Sequence, residues 1–191
     1  MSWLDTLDDI RKKDFTKAPA ADREKAVREV INMASYGCAV VAVSPIPFSD
    51  AVLMLPVQSA MVMTIGHIHG RRVTEADARR LLLELGATAG VGLLTRQGIK
   101  ALLPVVGALI TIPAAFAASW AIGRVASEYF AHPGATREQL EQVFEAARKE
   151  ARGLFSRERF DALFKTGAAK AAPKAKARAK PRARTAKAPR R

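Results

Sequence analysis

From Val30 to Gly70 the chain carries one formal charge, on Asp50, and this restricts its folding more than any other feature. So long an uncharged stretch has to be covered, by other protein or by lipid. It is split at Ser44-Pro45-Ile46-Pro47-Phe48-Ser49, where two prolines remove backbone donors and fix φ. Asp50, or Ser49 before it, is placed to cap a new helix running from Ala51 towards His67. The expectation is a helical hairpin with nearly uncharged arms, Pro45 and Pro47 in its turn, and Ile46 and Phe48 at its tip.

A second uncharged run, Ala101–Gly123, is interrupted by Pro104, Gly107 and Pro113. At 1.5 Å per residue the segments Val30–Val43 and Ala51–Gly66 reach roughly 21 and 24 Å, short of the ~30 Å hydrocarbon core of a bilayer. Only Ala101–Gly123 has the length of a transmembrane helix. Two outcomes are open for these segments, a buried helical core or helices that enter or dock on a membrane. Arg71, Arg72, Arg79, Arg80, Arg96, Lys100 and Arg124 border them. If all of these stay on the cytoplasmic side, hairpins dipping in from that face fit better than a single span. Small-residue pairs such as Ala114/Ala118 and Ala117/Ala121, and the spacings Gly66–Gly70 and Gly86–Gly90, favour close helix packing in either case.

The remaining segments also read as helices. Trp3, Leu4, Leu7 and Ile10 recur at helical spacing, so Ser2–Lys13 is a short amphipathic helix that Pro19 separates from the next, capped by Asp22. Thr74-Glu75-Ala76-Asp77 resembles a capping box, with Asp in place of the longer acid, and opens a helix through Leu85 that Gly86 stops. A further helix is expected from Ala87 to Leu103. His132-Pro133-Gly134 closes the second uncharged run, and Thr136-Arg137-Glu138-Gln139 is a second capping box. Leu140, Phe144, Ala147, Ala151 and Leu154 then form one apolar stripe on a helix continuing towards Phe164. No alternating pattern of strands occurs. The expectation is all-α: a bundle of apolar helical hairpins with a C-terminal amphipathic helix and a disordered tail. Its parts are an N-terminal helix and linker (1–21), a helical domain (22–133), the amphipathic helix (134–165) and the tail (166–191).

Net charge is +13 over 191 residues, but the average misleads. Thr166–Arg191 holds Lys170, Lys174, Lys176, Arg178, Lys180, Arg182, Arg184, Lys187, Arg190 and Arg191 and no acid, which leaves the rest of the chain at +3. This tail lacks apolar residues larger than Ala, so it cannot offset its ordering entropy. It suits anionic lipid or nucleic acid, read by charge alone. Near the start, Asp5, Asp8 and Asp9 precede any apolar run, unlike a signal peptide, so an intracellular start is expected.

The order of several motifs is recognisable. Pro45-Ile46-Pro47-Phe48-Ser49-Asp50 is followed by Gln58-Ser59-Ala60-Met61, then by Leu103-Pro104-Val105-Val106-Gly107 and by Gly123-Arg124 through Tyr129-Phe130. Over about Asp22–Pro133 the chain resembles the bacterial domain of unknown function 697, the YcjF-like, GTPase-associated family. It departs from the family at Val105-Val106-Gly107, where a Pro-Gly turn is usual. The resemblance implies placement in or at the bacterial inner membrane, and partnership with a small GTPase domain that many members carry.

Catalytic chemistry is not assembled in the sequence. No GxxxxGK[ST] motif occurs, and Gly86-Ala87-Thr88-Ala89-Gly90-Val91-Gly92 has neither the Lys nor the Ser/Thr that phosphate and Mg²⁺ require. His67 and His69 face about 200° apart on a helix and chelate together only if the helix ends there. Cys38, the only cysteine, reads as an inert buried thiol, and Asp50 as a cap rather than an ion site. No metal or cofactor is expected, and no enzymatic activity. Three functions remain. The first is a membrane-associated anchor or docking module for a partner such as a separate GTPase, on the cytoplasmic face of the inner membrane. The second is a nucleic-acid-associated protein acting through its tail. The third is a soluble cytoplasmic adaptor.

Overall fold

The computed structural model describes residues 3–43, 49–88 and 104–171, with side chains over 6–43, 54–84 and 111–164. Pro45, Pro47, the expected helix beyond Thr88, and the tail from 172 onward lie outside the described residues. Seven α-helices and no strand make up the rest: α1 (Trp3–Lys12), α2 (Ala20–Val41), α3 (Ser49–Ile68), α4 (Glu75–Thr88), α5 (Pro104–Ala131), α6 (Arg137–Leu154) and α7 (Arg157–Ala171).

Three helices form the centre, and their pairing fixes their directions. Gly37 lies against Val57, while Gly123 touches both Ile31 and Met61. Hence α2 and α3 run antiparallel, as a hairpin must. The Gln58 amide donates to Ser119 Oγ at 3.2 Å, and Gly66 lies beside Phe130, so α5 runs parallel to α3 and antiparallel to α2. The close approach rests on glycine. A Cβ on Gly123 would stand 2.7 Å from Ile31 Cγ1, and one on Gly66 would collide with Val73. Val30, Ile31, Met61, Val62, Ile65, Phe116 and Ala121 are fully buried between these helices.

The outer helices close the sides. On α1, Leu7 and Ile10 are buried, and Arg11 donates from Nε to Thr64 Oγ1 at 2.9 Å and from Nη2 to the Ala60 carbonyl at 3.0 Å. Helix α6 covers α5 and buries Ala147 and Ala151, with Leu140 and Phe144 half-covered against the core. Both expected capping boxes form. The Asp77 amide donates to Thr74 Oγ1 while Asp77 Oδ2 accepts from the Thr74 amide, and Thr136 and Gln139 exchange the same two bonds.

Several boundaries differ from the sequence expectations. Helix α2 starts at Ala20 behind Pro19 and has no side-chain cap, so Asp22 lies in its first turn. Helix α4 passes through Gly86 to Thr88. Pro104 opens α5, which suits a residue whose missing N–H is unneeded there, and Pro113 lies inside the helix without ending it. The amphipathic stripe does not run on to Phe164. It breaks at Phe155-Ser156, where Ser156 Oγ accepts from the Arg159 amide and starts α7, and Leu154 is left 43% exposed. Helix α7 reaches Ala171, so Lys170 lies on helical backbone.

Among the described residues no helix is long and apolar enough to cross a membrane, so the transmembrane reading of Ala101–Gly123, which lies partly outside them, is not supported. From Thr111 to Ala121, α5 has no exposed residue. Over those residues its apolar faces are taken up by α2, α3 and α6.

Candidate functional site

Helix directions sort the chain's charges into two poles. The C-terminal end of α2, the N-terminal end of α3 and the N-terminal end of α5 lie together at one pole. There the sequence is uncharged from Val30 to Val43, from Ala51 to Gly66 and from Pro104 to Gly123. Asp50 is the exception, on the first turn of α3, where a helix N-terminus favours a carboxylate. Its side chain lies outside the described residues, as do Pro45 and Pro47. The uncharged pole begins at an aromatic layer. Tyr36 and Phe116 have ring centroids 4.7 Å apart, Phe155 packs on both, and the Arg159 guanidinium lies 5.2 Å above the Tyr36 ring. Beyond this layer α5 continues from Phe116 back to Pro104, about 18 Å at 1.5 Å per residue.

Polar contacts crowd the opposite pole. Helix α3 ends there in a Schellman motif: Gly70 (φ +72°) donates to the His67 carbonyl at 2.9 Å, and the Arg71 amide donates to the Gly66 carbonyl at 2.8 Å. The two histidines before this stop point apart. His67 Nε2 meets the Lys13 carbonyl at 2.9 Å, and His69 Nε2 meets Ser127 Oγ at 3.1 Å. Each ring is therefore tied to a different helix or loop and the pair does not chelate. His132 Nδ1 lies 2.8 Å from Glu128 Oε1. Burial pulls the His69 pKa below its ordinary 6.5, and the nearby Arg23 pulls the same way.

Glu24 links the central helices here. Its Oε1 accepts from Arg124 Nη1 at 2.7 Å and from Arg28 Nε at 3.1 Å, and Arg28 also reaches Glu150 on α6. Partial burial raises the Glu24 pKa, but hydrogen bonds and charge from Arg124 and Arg28 outweigh it and leave the carboxylate below its ordinary value.

Two clefts of about 410 and 400 Å³ open at this pole and share Arg71 and Phe130. The first lies between α2, α3 and the end of α5, with Arg23 and His69 on its walls. The second lies between α4 and the end of α5, walled by Arg72, Arg80, Leu81 and Tyr129. Among the described residues no ion pair engages Arg23, Arg71, Arg72 or Arg80. Arg71, Arg72 and Arg80 are legible in the sequence as charges flanking apolar runs, but their convergence on Tyr129 is not. The His69–Ser127 contact spans 58 positions and leaves no local signal either. Among the described residues no group of three or more His, Cys, Asp or Glu could hold a metal ion.

Neither a curated protein nor a solved structure matches the chain. One family matches, described as a domain of unknown function, DUF697, over residues 16–131. That span holds α2 to α5, the three central helices and, apart from Pro133, the walls of both clefts. The chain belongs to the DUF697 family.

Proposed function

We propose that the chain is a non-enzymatic helical module that docks on the cytoplasmic face of a bacterial inner membrane by its uncharged pole. It presents the charged pole to a protein partner such as a separately encoded GTPase. One observation carries this reading: three uncharged helix ends, far apart in sequence, are gathered at the same pole. The ~18 Å from Phe116 to Pro104 is close to half of a ~30 Å hydrocarbon core, so the pole matches one leaflet rather than a span. Basic residues stand at the depth where headgroups would lie. Arg157 and Arg159 flank the aromatic layer, and the Lys/Arg-rich tail follows α7. The polar side chains with catalytic potential are engaged in holding the fold, His67 to Lys13, His69 to Ser127 and Asp77 to Thr74.

Washing native membranes with high salt and then with alkaline carbonate tests this. Retention through the salt wash is expected, because apolar insertion is not screened. Replacing both Ile46 and Phe48 with Asp should release the protein. Complete release of the unaltered protein by salt alone, with recovery on DNA, would favour a tail-driven nucleic-acid role. A protein found only in the soluble fraction would favour a cytoplasmic adaptor.

A further inference from the structure

The two clefts of the charged pole are rich in arginine. Arg71 belongs to both, Arg23 lines the first, and Arg72 and Arg80 line the second. Three acids also line them, Glu24, Asp77 and Glu84, and none of them is free. Glu24 accepts from Arg124 and Arg28, and Asp77 accepts from the Thr74 amide and hydroxyl. The guanidinium groups therefore outnumber the carboxylates that face them. Between them stands apolar surface: Tyr129 is 42% exposed, packs edge-to-face on Phe130 at 5.4 Å, and neighbours Val73 and Leu81 across the second cleft.

We infer that these clefts form a docking groove for an acidic peptide segment with an apolar or aromatic anchor, supplied by another protein. Carboxylates would lie along Arg71, Arg72 and Arg80, in the planar paired geometry that guanidinium favours. The anchor would cover Tyr129 and Phe130, an arrangement of buried aromatic and flanking arginine that concentrates binding energy. The chain does not hold this occupant in reserve. Residues 1–2, 44–48, 89–103 and 172–191 contain no Asp or Glu at all, so no segment outside the described residues has the required charge. A simple anion would match the arginines but leave the aromatic surface bare. The inference gives the partner's chemistry for the docking role proposed above and rests on that role.

The test uses the full chain in mild detergent and a fluorescein-labelled peptide built of Glu-Glu-Leu-Phe repeats, read by anisotropy in about 0.3 M salt to screen the tail. Replacing both Arg71 and Arg72 with Glu is expected to weaken binding about tenfold or more, and Tyr129→Ser about threefold or more. All three side chains are exposed, so unchanged melting curves should accompany these losses. Peptides with Gln for Glu, or Ser for Leu and Phe, should bind correspondingly less. Equal binding by parent and variants would place all affinity in the tail and overturn the inference. So would equal binding of the peptide lacking apolar residues, which would reduce the groove to an anion site. Light scattering that shows a dimer dissolved by the Arg71 and Arg72 changes would make the occupant a second copy instead. No lipid is present, so failure of membrane docking and failure of this groove are separately visible.

Discussion

The Tyr36 hydroxyl accepts a hydrogen bond from the Ser156 amide at 3.0 Å, joining α2 to the break between α6 and α7 across 120 positions of sequence. Helix α6 ends at Leu154, and the chain must turn before Ser156 can cap α7. In that turn the Ser156 amide lies too early to bond within α7, and it is partly buried. The tyrosine supplies the acceptor while its ring stacks in the aromatic layer.

Tyr36→Phe keeps the ring and removes the acceptor. The expected cost is about 1–3 kcal/mol, that of a donor left without a partner. Chemical denaturation measures the total, and hydrogen exchange locates it. Faster exchange is expected at the start of α7, with α3 and α5 unchanged. A uniform loss of protection across the whole chain would show that the bond does not act locally.

Gly123 sets the distance between α2 and α5. A Cβ there would stand 2.7 Å from Ile31 Cγ1 and 3.0 Å from Met61 Sδ, so the helices must separate or side chains must leave their rotamers. Gly123→Val is expected to destabilise the domain by about 1–3 kcal/mol despite its better helix propensity. Combining it with Ile31→Ala should recover part of the loss relative to the sum of the two single changes. Strict additivity would argue that the two residues do not compete for the same space.

Much of the helical plan was legible because its signals are local. Thr74 with Asp77, Thr136 with Gln139, and the uncharged arms on either side of Pro45 and Pro47 each announce a helix or its start. Other local cues did not hold. Gly86 did not stop α4, and Pro113 lies within α5 in the packed centre, where contacts with α2, α3 and α6 outweigh one lost backbone bond. The break at Phe155-Ser156 was invisible because its acceptor, Tyr36, belongs to another helix. The pole with its clefts was only partly legible. Charge can be read residue by residue, but the meeting of Arg71, Tyr129 and Arg23 depends on the relative direction of α2, α3 and α5.

Acid should weaken the fold in two stages. The His69 pKa is held below its ordinary 6.5, mainly by burial, so the unfolded chain binds a proton that the folded one resists. Its contribution is present above that value and is lost as pH falls from about 6.5 through the lower folded pKa. Glu24 is also held below its ordinary value, 4.5, so its contribution is present above 4.5 and is lost at still lower pH. Urea midpoints measured across pH should therefore fall first below about 6.5 and again below about 4.5. His69→Asn should flatten the first decline and leave the second, while Arg124→Gln should shrink the second. A first decline unchanged in His69→Asn would show that His69 does not cause it.

The tail offers the most direct separation of electrostatic from apolar attachment. Helix α7 reaches Ala171, so the deletion that spares every described helix begins at Ala172 and removes nine of the ten Lys/Arg residues of Thr166–Arg191. Near an anionic leaflet each charge contributes up to ~1 kcal/mol, fading over a Debye length of about 8 Å at physiological salt. On duplex DNA the same charges release counterions, with a logarithmic salt slope of about −0.9 per neutralised phosphate. Neither surface is read by sequence, because the tail has no aromatic side chain to stack and no Asn or Gln to read a base edge. Deletion is expected to weaken binding to phosphatidylglycerol vesicles and to DNA together, most at low salt. Association with native membranes should survive it, since the uncharged pole remains. A truncated protein that leaves both the membrane fraction and the nucleoid at once would transfer the whole of the attachment to the tail, and the docking pole would have no role in placing the protein.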